Sequence, residues 1–351
     1  MSIFDPIFSR ITHDIGIDLG TAAIKVAVKG YGIVYNEPSV VAINSRTKQV
    51  LAVGEEARKM IGRTPSGIVA VRPLKDGVIS DFDSTEAMMR YFINKVNADF
   101  SNSFKIPRPR VIVGIPSSGT EVESRAVVDA AKSAGARKVY IIEEPMAAAI
   151  GANLPIEEAS GSMIIDIGGG TTDIAVLALG GIVVDNTIKI AGDEMDQEIV
   201  NYARHKYNLH IGEKMGEDIK MQIGSAYEMR TEKEVTMRGR DLISGLPKSI
   251  KISSIEVREA LHKVLDRIAE SAREAIEKTP PELVSDLVER GVTIAGGGAI
   301  LPGIDKYFKD KLKLPINIPD DPVNTVARGT QILIDSISLL EKVKIDLDDI
   351  S

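Results

Sequence analysis

The sequence contains no cysteine and no tryptophan. Without cysteine there is no disulfide, no thiol nucleophile and no thiolate metal site, and the composition is compatible with a reducing cytoplasm. Only four histidines are present, with no His-x-x-x-His or similar spacing, which argues against a zinc centre. The missing tryptophan weakens any case for a carbohydrate-stacking surface. No apolar run reaches the roughly 18 residues that cross a bilayer. The N-terminus lacks the basic region and long apolar core of a secretory signal. Positive charge is also short: 43 Lys and Arg against 50 Asp and Glu leave a formal net charge of −7. Nothing global therefore favours nucleic acid, whose binding needs a basic face. What is there is an ordinary globular balance of 44% hydrophobic and 26% charged residues in 351, enough for one large domain or two of usual size.

The chain is organised around Asp166-Ile-Gly-Gly-Gly-Thr-Thr-Asp173. Ser162–Ile165 before it and Ile174–Leu179 after it are apolar and partly β-branched, the pattern of buried strands. Three glycines between two strands let a ligand approach the backbone, and the turn's N–H groups can converge on an anion. A carboxylate at the end of the first strand, Asp166, suits a water-bound Mg²⁺ beside phosphate oxygens. Taken alone, the stretch also fits an ordinary glycine-rich hairpin. A second such hairpin lies near the start. Ile15, Ile17 and Leu19, then Ile24, Val26 and Val28, read as two strands joined at Gly20-Thr21, with Asp18 just before the turn. Ile17-Asp-Leu-Gly-Thr lies over Ile165-Asp-Ile-Gly-Gly, and Gly32-Ile-Val34 over Gly181-Ile-Val183 after one inserted residue. We read a duplicated fold, whose like halves would aim two phosphate hairpins into one cleft.

Elsewhere the pattern is that of an α/β protein. Residues 35–80 carry turns and short apolar runs and read as a small insert. A helix is expected at about 84–96, with Ser84 as its cap, followed by a loop from Ala98 to Pro107. Val111–Ile115 and Lys138–Ile142 read as strands, and Glu121–Ala134 and Pro145–Ala152 as helices. Strand–helix alternation implies a mainly parallel, helix-covered sheet. In the second half, helices are expected from Gly192 to about Tyr207, over Gly212–Ser225 and over Ser254–Lys278. Thr231–Ile252 reads as a polar, strand-like insert. Val292–Ala295 is a strand running into Gly296-Gly-Gly-Ala-Ile-Leu-Pro302, Pro322 begins a last helix, and the acidic end 346–351 frays. Ile3, Phe4, Ile7, Phe8 and Ile11 fall on one side of a short N-terminal helix. Two readings stand for it: an interfacial membrane helix, and a helix packed on the body of the protein. Phe100 and Phe104, in a polar loop, either tuck into the surface or touch a membrane or partner.

Asp18-Leu-Gly-Thr, Asp166-Ile-Gly-Gly-Gly-Thr-Thr-Asp173 and Ala295-Gly-Gly-Gly-Ala-Ile-Leu-Pro-Gly303 stand in the order found in the actin, heat-shock chaperone and sugar kinase ATPase superfamily. More narrowly, the chain resembles the MreB family of rod-shape-determining bacterial actins. The resembling runs include Gly32-Ile-Val-Tyr-Asn-Glu-Pro-Ser-Val-Val41, Arg72-Pro-Leu-Lys-Asp-Gly-Val-Ile-Ser-Asp-Phe82, Glu143-Glu-Pro-Met-Ala-Ala-Ala-Ile-Gly151 and Ala191-Gly-Asp-Glu-Met-Asp196. With Ile61–Pro65, Gly239–Leu242 and Thr279–Leu283 they cover nearly the whole length.

The resemblance implies an α/β, actin-like fold: two duplicated αβ lobes around a nucleotide cleft, each with a small inserted subdomain. It places the core of lobe I at 1–34 and 81–153 with its insert at 35–80. Lobe II would have its core at 154–190 and 253–321 with its insert at 191–252, and 322–351 would return to lobe I. It implies ATP and Mg²⁺ as ligands, and slow hydrolysis. It further implies self-assembly into paired protofilaments, cell-wall morphogenesis proteins as partners, and a place at the cytoplasmic face of the membrane. Gly20, Thr21, Ala22 and Ala23, with Gly168, Gly169, Gly170 and Thr171, would serve the terminal phosphates. Asp18 and Asp166 would hold Mg²⁺ through waters. Glu217 and Lys220, on one helix face at i, i+3, would face the adenosine, with Asp218 and Ile219 between them. Gly296, Gly297, Gly298 and Ala299 would let its sugar and α-phosphate lie against the backbone.

Glu144 matches the residue that orients the attacking water in the family, with Thr171 or Thr172 helping to place it. A carboxylate before a proline at a helix start can be held still, and phosphoanhydride hydrolysis is mostly positioning and charge stabilisation. On the residues alone, Glu143 and Glu144 equally fit helix-start carboxylates favoured by the dipole. One departure stands out. The family usually has Thr-Ala-Asn-Thr in the first phosphate turn, and this chain has Thr21-Ala-Ala-Ile-Lys25. An amide donor is missing, and Lys25 stands where eukaryotic actins carry a phosphate-contacting lysine. Either Lys25 brings a cation to the phosphates or it is a solvent-facing strand residue. The departure also fits a diverged or accessory paralogue.

The leading expectation is a filament-forming ATPase of structural role. A specialised filament for positioning a plasmid or organelle is the nearest alternative. A small-molecule kinase of the superfamily needs a carboxylate base and a sugar pocket, and no signature of either is found. A chaperone needs a further peptide-binding domain, and the chain ends at Ser351, so that reading is disfavoured.

Overall fold

The computed structural model describes residues 13–100 and 108–345. The chain divides into two compact units, Met1–Glu158 with Leu179–Gly181 and Asn324–Ser351, and Ala159–Ala178 with Ile182–Val323.

The first unit is built on the strands β1 (Ile15–Leu19), β2 (Ala23–Val28) and β3 (Gly32–Pro38). They form an antiparallel meander in which β1 is buried along its whole length. A small sheet follows, of β4 (Val41–Asn44), β5 (Val50–Val53) and β6 (Ile68–Val71), in the order β5-β4-β6, with the one-turn helix α1 (Glu55–Arg58). The short pair β7 (Leu74–Lys75) and β8 (Val78–Ile79) leads into helix α2, Phe82–Phe100. Expected at about 84–96, α2 starts earlier and runs on to Phe100, into the first residues of the stretch read as loop, the rest of which lies outside the described residues. Tertiary contacts extend it: Phe100 stacks against Tyr31 with ring centroids 4.7 Å apart, and Asp99 accepts a 2.6 Å hydrogen bond from the Tyr35 hydroxyl.

Two strand–helix units then add β9 (Arg110–Ile115), α3 (Glu121–Ser133), β10 (Lys138–Glu143) and α4 (Glu144–Gly151). Thr120 and Glu123 close a capping box at the start of α3. β9 and β10 lie parallel to β1, giving the order β10-β9-β1-β2-β3.

The second unit repeats this plan. β11 (Ser162–Ile167), β12 (Thr172–Ala178) and β13 (Gly181–Ile188) form the meander. The chain continues through α5 (Gly192–Tyr207), β14 (Leu209–His210), α6 (Glu213–Ile223), and the polar hairpin β15 (Glu234–Asp241) and β16 (Pro247–Ser253). Helix α7 (Ser254–Lys278) begins at a Ser253/Glu256 capping box. Its Val257, Leu261, Val264, Leu265, Ile268 and Ala272 are buried at three- and four-residue spacing. After α8 (Pro281–Arg290), β17 (Val292–Ala295) pairs parallel with β11, and α9 (Ile304–Leu312) precedes β18 (Ile316–Asn317). The sheet order is β13-β12-β11-β17-β18. Three antiparallel strands followed by two parallel ones is the order of the first sheet again, so the duplication read from the sequence is present in the topology.

The last helix expected from Pro322 is instead a 3₁₀ turn, Pro322–Asn324, then α10 (Thr325–Asp335) and α11 (Ile337–Val343). Helix α10 lies in the first unit. A Cβ on Gly16 of β1 would stand 2.5 Å from Thr330, and Cβ atoms on Gly151 or Gly329 would collide with the carbonyls of Thr325 and Ala147. The close crossing of α4 and α10 therefore requires glycine on both helices.

Candidate functional site

In the first unit the β1–β2 register pairs Leu19 with Ile24 and Asp18 with Lys25, leaving residues 20–23 as the turn. Gly20 is needed there, because a Cβ would stand 2.8 Å from the Ala23 carbonyl oxygen. The turn is anchored from behind. Ser39, fully buried, donates from Oγ to the Gly20 carbonyl at 2.6 Å and from its backbone N–H to the Ala22 carbonyl at 3.1 Å. Thr21 Oγ1 accepts from the Gly77 N–H at 3.1 Å, which leaves the hydroxyl proton to act as a donor. Asp18 is buried and paired with Lys25, whose Nζ stands 2.7 Å from Oδ2.

On its other side Asp18 is in register with Gly114 of β9. Gly114 lies against Glu144, whose Cγ would stand 3.4 Å from a Cβ there. Glu144 is buried at the first position of α4, ahead of Pro145, and the glycine crossing with α10 holds that helix. Asp18, Thr21, Lys25 and Glu144 are thus gathered at the carboxyl ends of β1, β9 and β10, where α/β sheets receive ligands.

The second unit has the same turn length. Ile167 pairs with Thr172 and Asp166 with Asp173, leaving residues 168–171. The Gly168 N–H donates to the Thr171 carbonyl at 2.9 Å, and Thr172 Oγ1 donates to the Ile190 carbonyl at 2.7 Å. The Gly168 and Gly169 carbonyls accept from the N–H groups of Gly192 and Asp193 at the start of α5, at 3.2 and 2.8 Å. Asp173 accepts a 2.6 Å hydrogen bond from Thr187 Oγ1.

Asp166 is also in register with Ala295 of β17, beyond which the chain turns at Gly296 with φ of 80°. A Cβ on Gly296 would collide with Asp166, and one on Gly298 with Ile167. Packing on the hairpin thus accounts for these two glycines. Gly297, exposed and with nothing near its missing Cβ, is the one whose backbone is open. Ala299 is part of the hydrophobic core.

Of the four residues expected from α6, Lys220 joins this hairpin. Its Nζ lies 2.8 Å from the Gly192 carbonyl and 2.8 Å from Asp196 Oδ1. Glu217 is half-buried one turn earlier. Asp218 turns to Lys214 at 3.9 Å, and the Ile219 side chain is sunk in the core. Four consecutive helical residues span a full turn, so they cannot share one face. Asp196 carries the largest perturbation here. Burial pushes its carboxyl up to about 6, against the opposing pull of Lys220, with Glu217 and Asp193 adding to the rise.

Asp196, Asp173 and Ser39 were not expected from the sequence. The first two sit inside recognised motifs without a signal of their own. Ser39 acts across 19 residues, which no local pattern records.

The donor sets fit a polyphosphate with Mg²⁺. Among the described residues, no three or more acids or histidines converge to hold a metal by themselves. Mg²⁺ is commonly kept by one or two carboxylates together with phosphate oxygens and water, and Asp18 and Asp166, each buried beside a glycine-containing turn, are carboxylates of that kind. Of the aromatics proposed to meet a membrane, Phe100 packs on the core of the first unit. Ile3, Phe4, Ile7, Phe8 and Phe104 lie outside the described residues, and among the described residues no helix is long and apolar enough to cross a membrane.

Residues 12–342 match the family model described as MreB/Mbl protein. The cell shape-determining protein Mbl of Bacillus subtilis is 49% identical over 333 residues, 95% of this chain and 99% of that protein. The cell shape-determining protein MreB of Escherichia coli is 49% identical over 322 residues, 91% of this chain and 92% of that protein. Among solved structures, MreB5 of Spiroplasma citri bound to ADP superposes with a TM-score of 0.87 at 42% identity, covering 93% of this chain and 97% of that one. The MamK double helical filament superposes at 0.78 with 21% identity, covering 93% and 99%, a likeness of fold. The fold is α/β and actin-like.

Proposed function

The chain belongs to the MreB/Mbl family, and from that premise we propose that it is a filament-forming, ATP-binding actin-like protein. In this reading it hydrolyses ATP slowly and, assembled at the inner face of the cytoplasmic membrane, organises cell shape and cell-wall synthesis. The observation that carries the proposal is the repeated hairpin: a buried aspartate, a four-residue glycine turn and the same register in each unit. A relative of this fold has been captured with ADP and with AMPPNP.

The backbone of Gly20, Thr21 and Ala22 and that of Gly168 to Thr171 donate to the terminal phosphates, as convergent turn N–H groups do for anions. Lys220, Glu217 and the open backbone at Gly297 serve the nucleoside. Mg²⁺, when bound, neutralises developing phosphate charge, and Asp166 with Asp18 would hold it through water. Glu144 orients the attacking water and accepts its proton as the bond to the terminal phosphorus breaks, a positioning role that its fixed seat on α4 supports. We assign 35–80 and 191–252 as the two small inserted subdomains, and the segment carrying Ile3, Phe4, Ile7 and Phe8 as the membrane contact.

Sedimentation with electron microscopy, with and without ATP and lipid vesicles, tests this function. The expected result is polymer that forms with ATP and loses vesicle association when residues 1–11 are removed. Absence of polymer across salt and lipid conditions would overturn it.

A further inference from the structure

Between α6 and β15 the chain runs through residues 224–233 without regular structure, yet both elements assigned to the nucleoside are fastened to this loop. At its start the Gly224 N–H closes on the Lys220 carbonyl at 2.8 Å, and a Cβ on Gly224 would stand 3.3 Å from Leu301. Two residues on, the Ala226 N–H donates to the Pro302 carbonyl at 2.8 Å. Tyr227 fills the space beside Gly303, where a Cβ would stand 2.5 Å from the tyrosine Cβ. Residues 224–227 thus form the joint between the end of α6, which carries Glu217 and Lys220, and the turn that begins at Gly296.

A buried cation holds this joint. Arg258, in the second turn of α7, has a side chain only 9% exposed. Its Nη1 donates to the Ser225 hydroxyl at 3.0 Å and to the Tyr227 carbonyl at 2.8 Å, and its Nη2 donates to the Glu232 carboxylate at 2.7 Å. Ser225 is itself fully buried. Ser254 Oγ donates to the other oxygen of Glu232 at 2.5 Å, which binds the far end of the loop to the start of the same helix. One turn beyond Arg258, His262 Nε2 meets the Ala226 carbonyl at 3.2 Å. Burying a guanidinium carries a desolvation cost that an apolar side chain of like volume would avoid. Such a side chain would seal the loop against α7 equally well. It would not fix the loop's direction, which the planar fork of an arginine does by holding its acceptors at set angles.

We propose that Arg258 is a positioning residue for the nucleoside side of the second unit. It acts through the loop and not by contact with the nucleotide. By holding Ser225 and Tyr227 it sets the spacing between α6 and the Gly296–Gly303 turn, and with it the fit of a bound nucleoside. The proposal rests on the nucleotide reading above and adds to it what keeps the nucleoside side in register.

The test is affinity for ATP and for ADP, each with Mg²⁺, by isothermal titration calorimetry on the full chain, Arg258→Met, Arg258→Lys and Ser225→Ala. ATP and ADP share the nucleoside and differ in the terminal phosphate, so a fault on the nucleoside side weakens both by one factor. Arg258→Met should lose about tenfold for both nucleotides, with the two losses within about twofold of each other. Arg258→Lys, which keeps the charge without the fork, should lose less than Arg258→Met. Ser225→Ala, which removes one acceptor, should lose about threefold for both. An arginine that serves stability alone would lower the melting temperature and leave both affinities within about twofold of the wild type, and that result overturns the proposal. A loss borne by ATP and not by ADP also overturns it, because the fault would then lie at the phosphates. If Arg258→Met does not fold, Ser225→Ala decides: unchanged affinity for both nucleotides overturns the proposal. Each of these failures leaves the nucleotide reading standing. A wild-type chain that binds neither ATP nor ADP sinks both.

Discussion

The two hairpins share strand pairing, turn length and the position of a buried aspartate, yet they are fastened and charged differently. The first is fastened by a side chain: Ser39 holds the Gly20 carbonyl through its hydroxyl. The second is fastened by a helix, since the carbonyls of Gly168 and Gly169 take the N–H groups that begin α5. The turn position held by Ala23 in the first hairpin is held by Thr171 in the second, and Lys25 answers to Asp173. A duplicated fold conserves the pairing geometry that aims a turn. The side chains that decide what the turn binds are free to diverge.

The largest effect that could break this comparison is expected at Asp166. Asp166→Asn removes one of the two carboxylates offered to Mg²⁺, and affinity for Mg-ATP should fall by two to three orders of magnitude, about 3–4 kcal/mol. Calorimetry showing retained Mg-ATP affinity would remove the metal role from the second hairpin. Next comes Glu144→Ala. Phosphate release should drop about a hundredfold while ATP affinity stays within about threefold, because the carboxylate acts on water rather than on the nucleotide. An unchanged rate of phosphate release would take Glu144 out of the reaction.

A hydroxyl that ties each hairpin to a neighbouring backbone carbonyl should contribute a similar, smaller amount. Ser39→Ala and Thr172→Val each orphan a carbonyl that now accepts a hydroxyl, at Gly20 and Ile190 respectively. Each should lower stability by about 1–2 kcal/mol, a few degrees in a thermal melt. A loss confined to one of them would show that the hairpins are not held equally.

The smallest effect is in pH. Burial raises Asp196 from its usual 3.8 to about 6. Between those values the folded chain keeps a proton there that the unfolded chain has released. This group's contribution is therefore full below pH 4 and is lost as the pH rises through 6. Asp196→Asn should gain on the wild type by about 1 kcal/mol from pH 5 to pH 7. A stability difference between the two that stays flat over that range would mean that Asp196 is not held neutral by burial.

Much of this architecture can be read from residue order. Helix α7 runs from Ser254 to Lys278 as expected, because Ser253 and Glu256 mark its start and the apolar stripe has a helix period throughout. β17 is equally plain, as four apolar or β-branched residues before a glycine run. Misreadings arose where distant parts of the chain act on an element. Helix α2 outruns its local signals because Tyr31 and Tyr35 receive Phe100 and Asp99. The C-terminal helix is broken at Ser336, after which α11 turns back to lay Ile345 N–H on the Ile141 carbonyl at 3.0 Å.

At the site, the aspartates and glycines were legible because they recur in two aligned motifs. The partner of Lys220 was not, since Asp196 lies 24 positions away on another helix. The Lys25–Asp18 pair could have been counted out: seven residues apart around a four-residue turn places two residues face to face, as it does for Asp166 and Asp173.

The glycine crossing of α4 and α10 has a further consequence, in time rather than space. Gly16 and Gly151 are covered by residues of a helix that starts at Thr325, so they await a partner translated some three hundred residues after β1. At ribosomal rates of roughly 5–20 residues per second, that is an interval on the order of a quarter of a minute to a minute. The second unit, almost unbroken from Ala159 to Val323, is complete before the first can close. Vectorial synthesis thus delivers the helix that covers the half bearing Glu144 only after the whole second unit has been made.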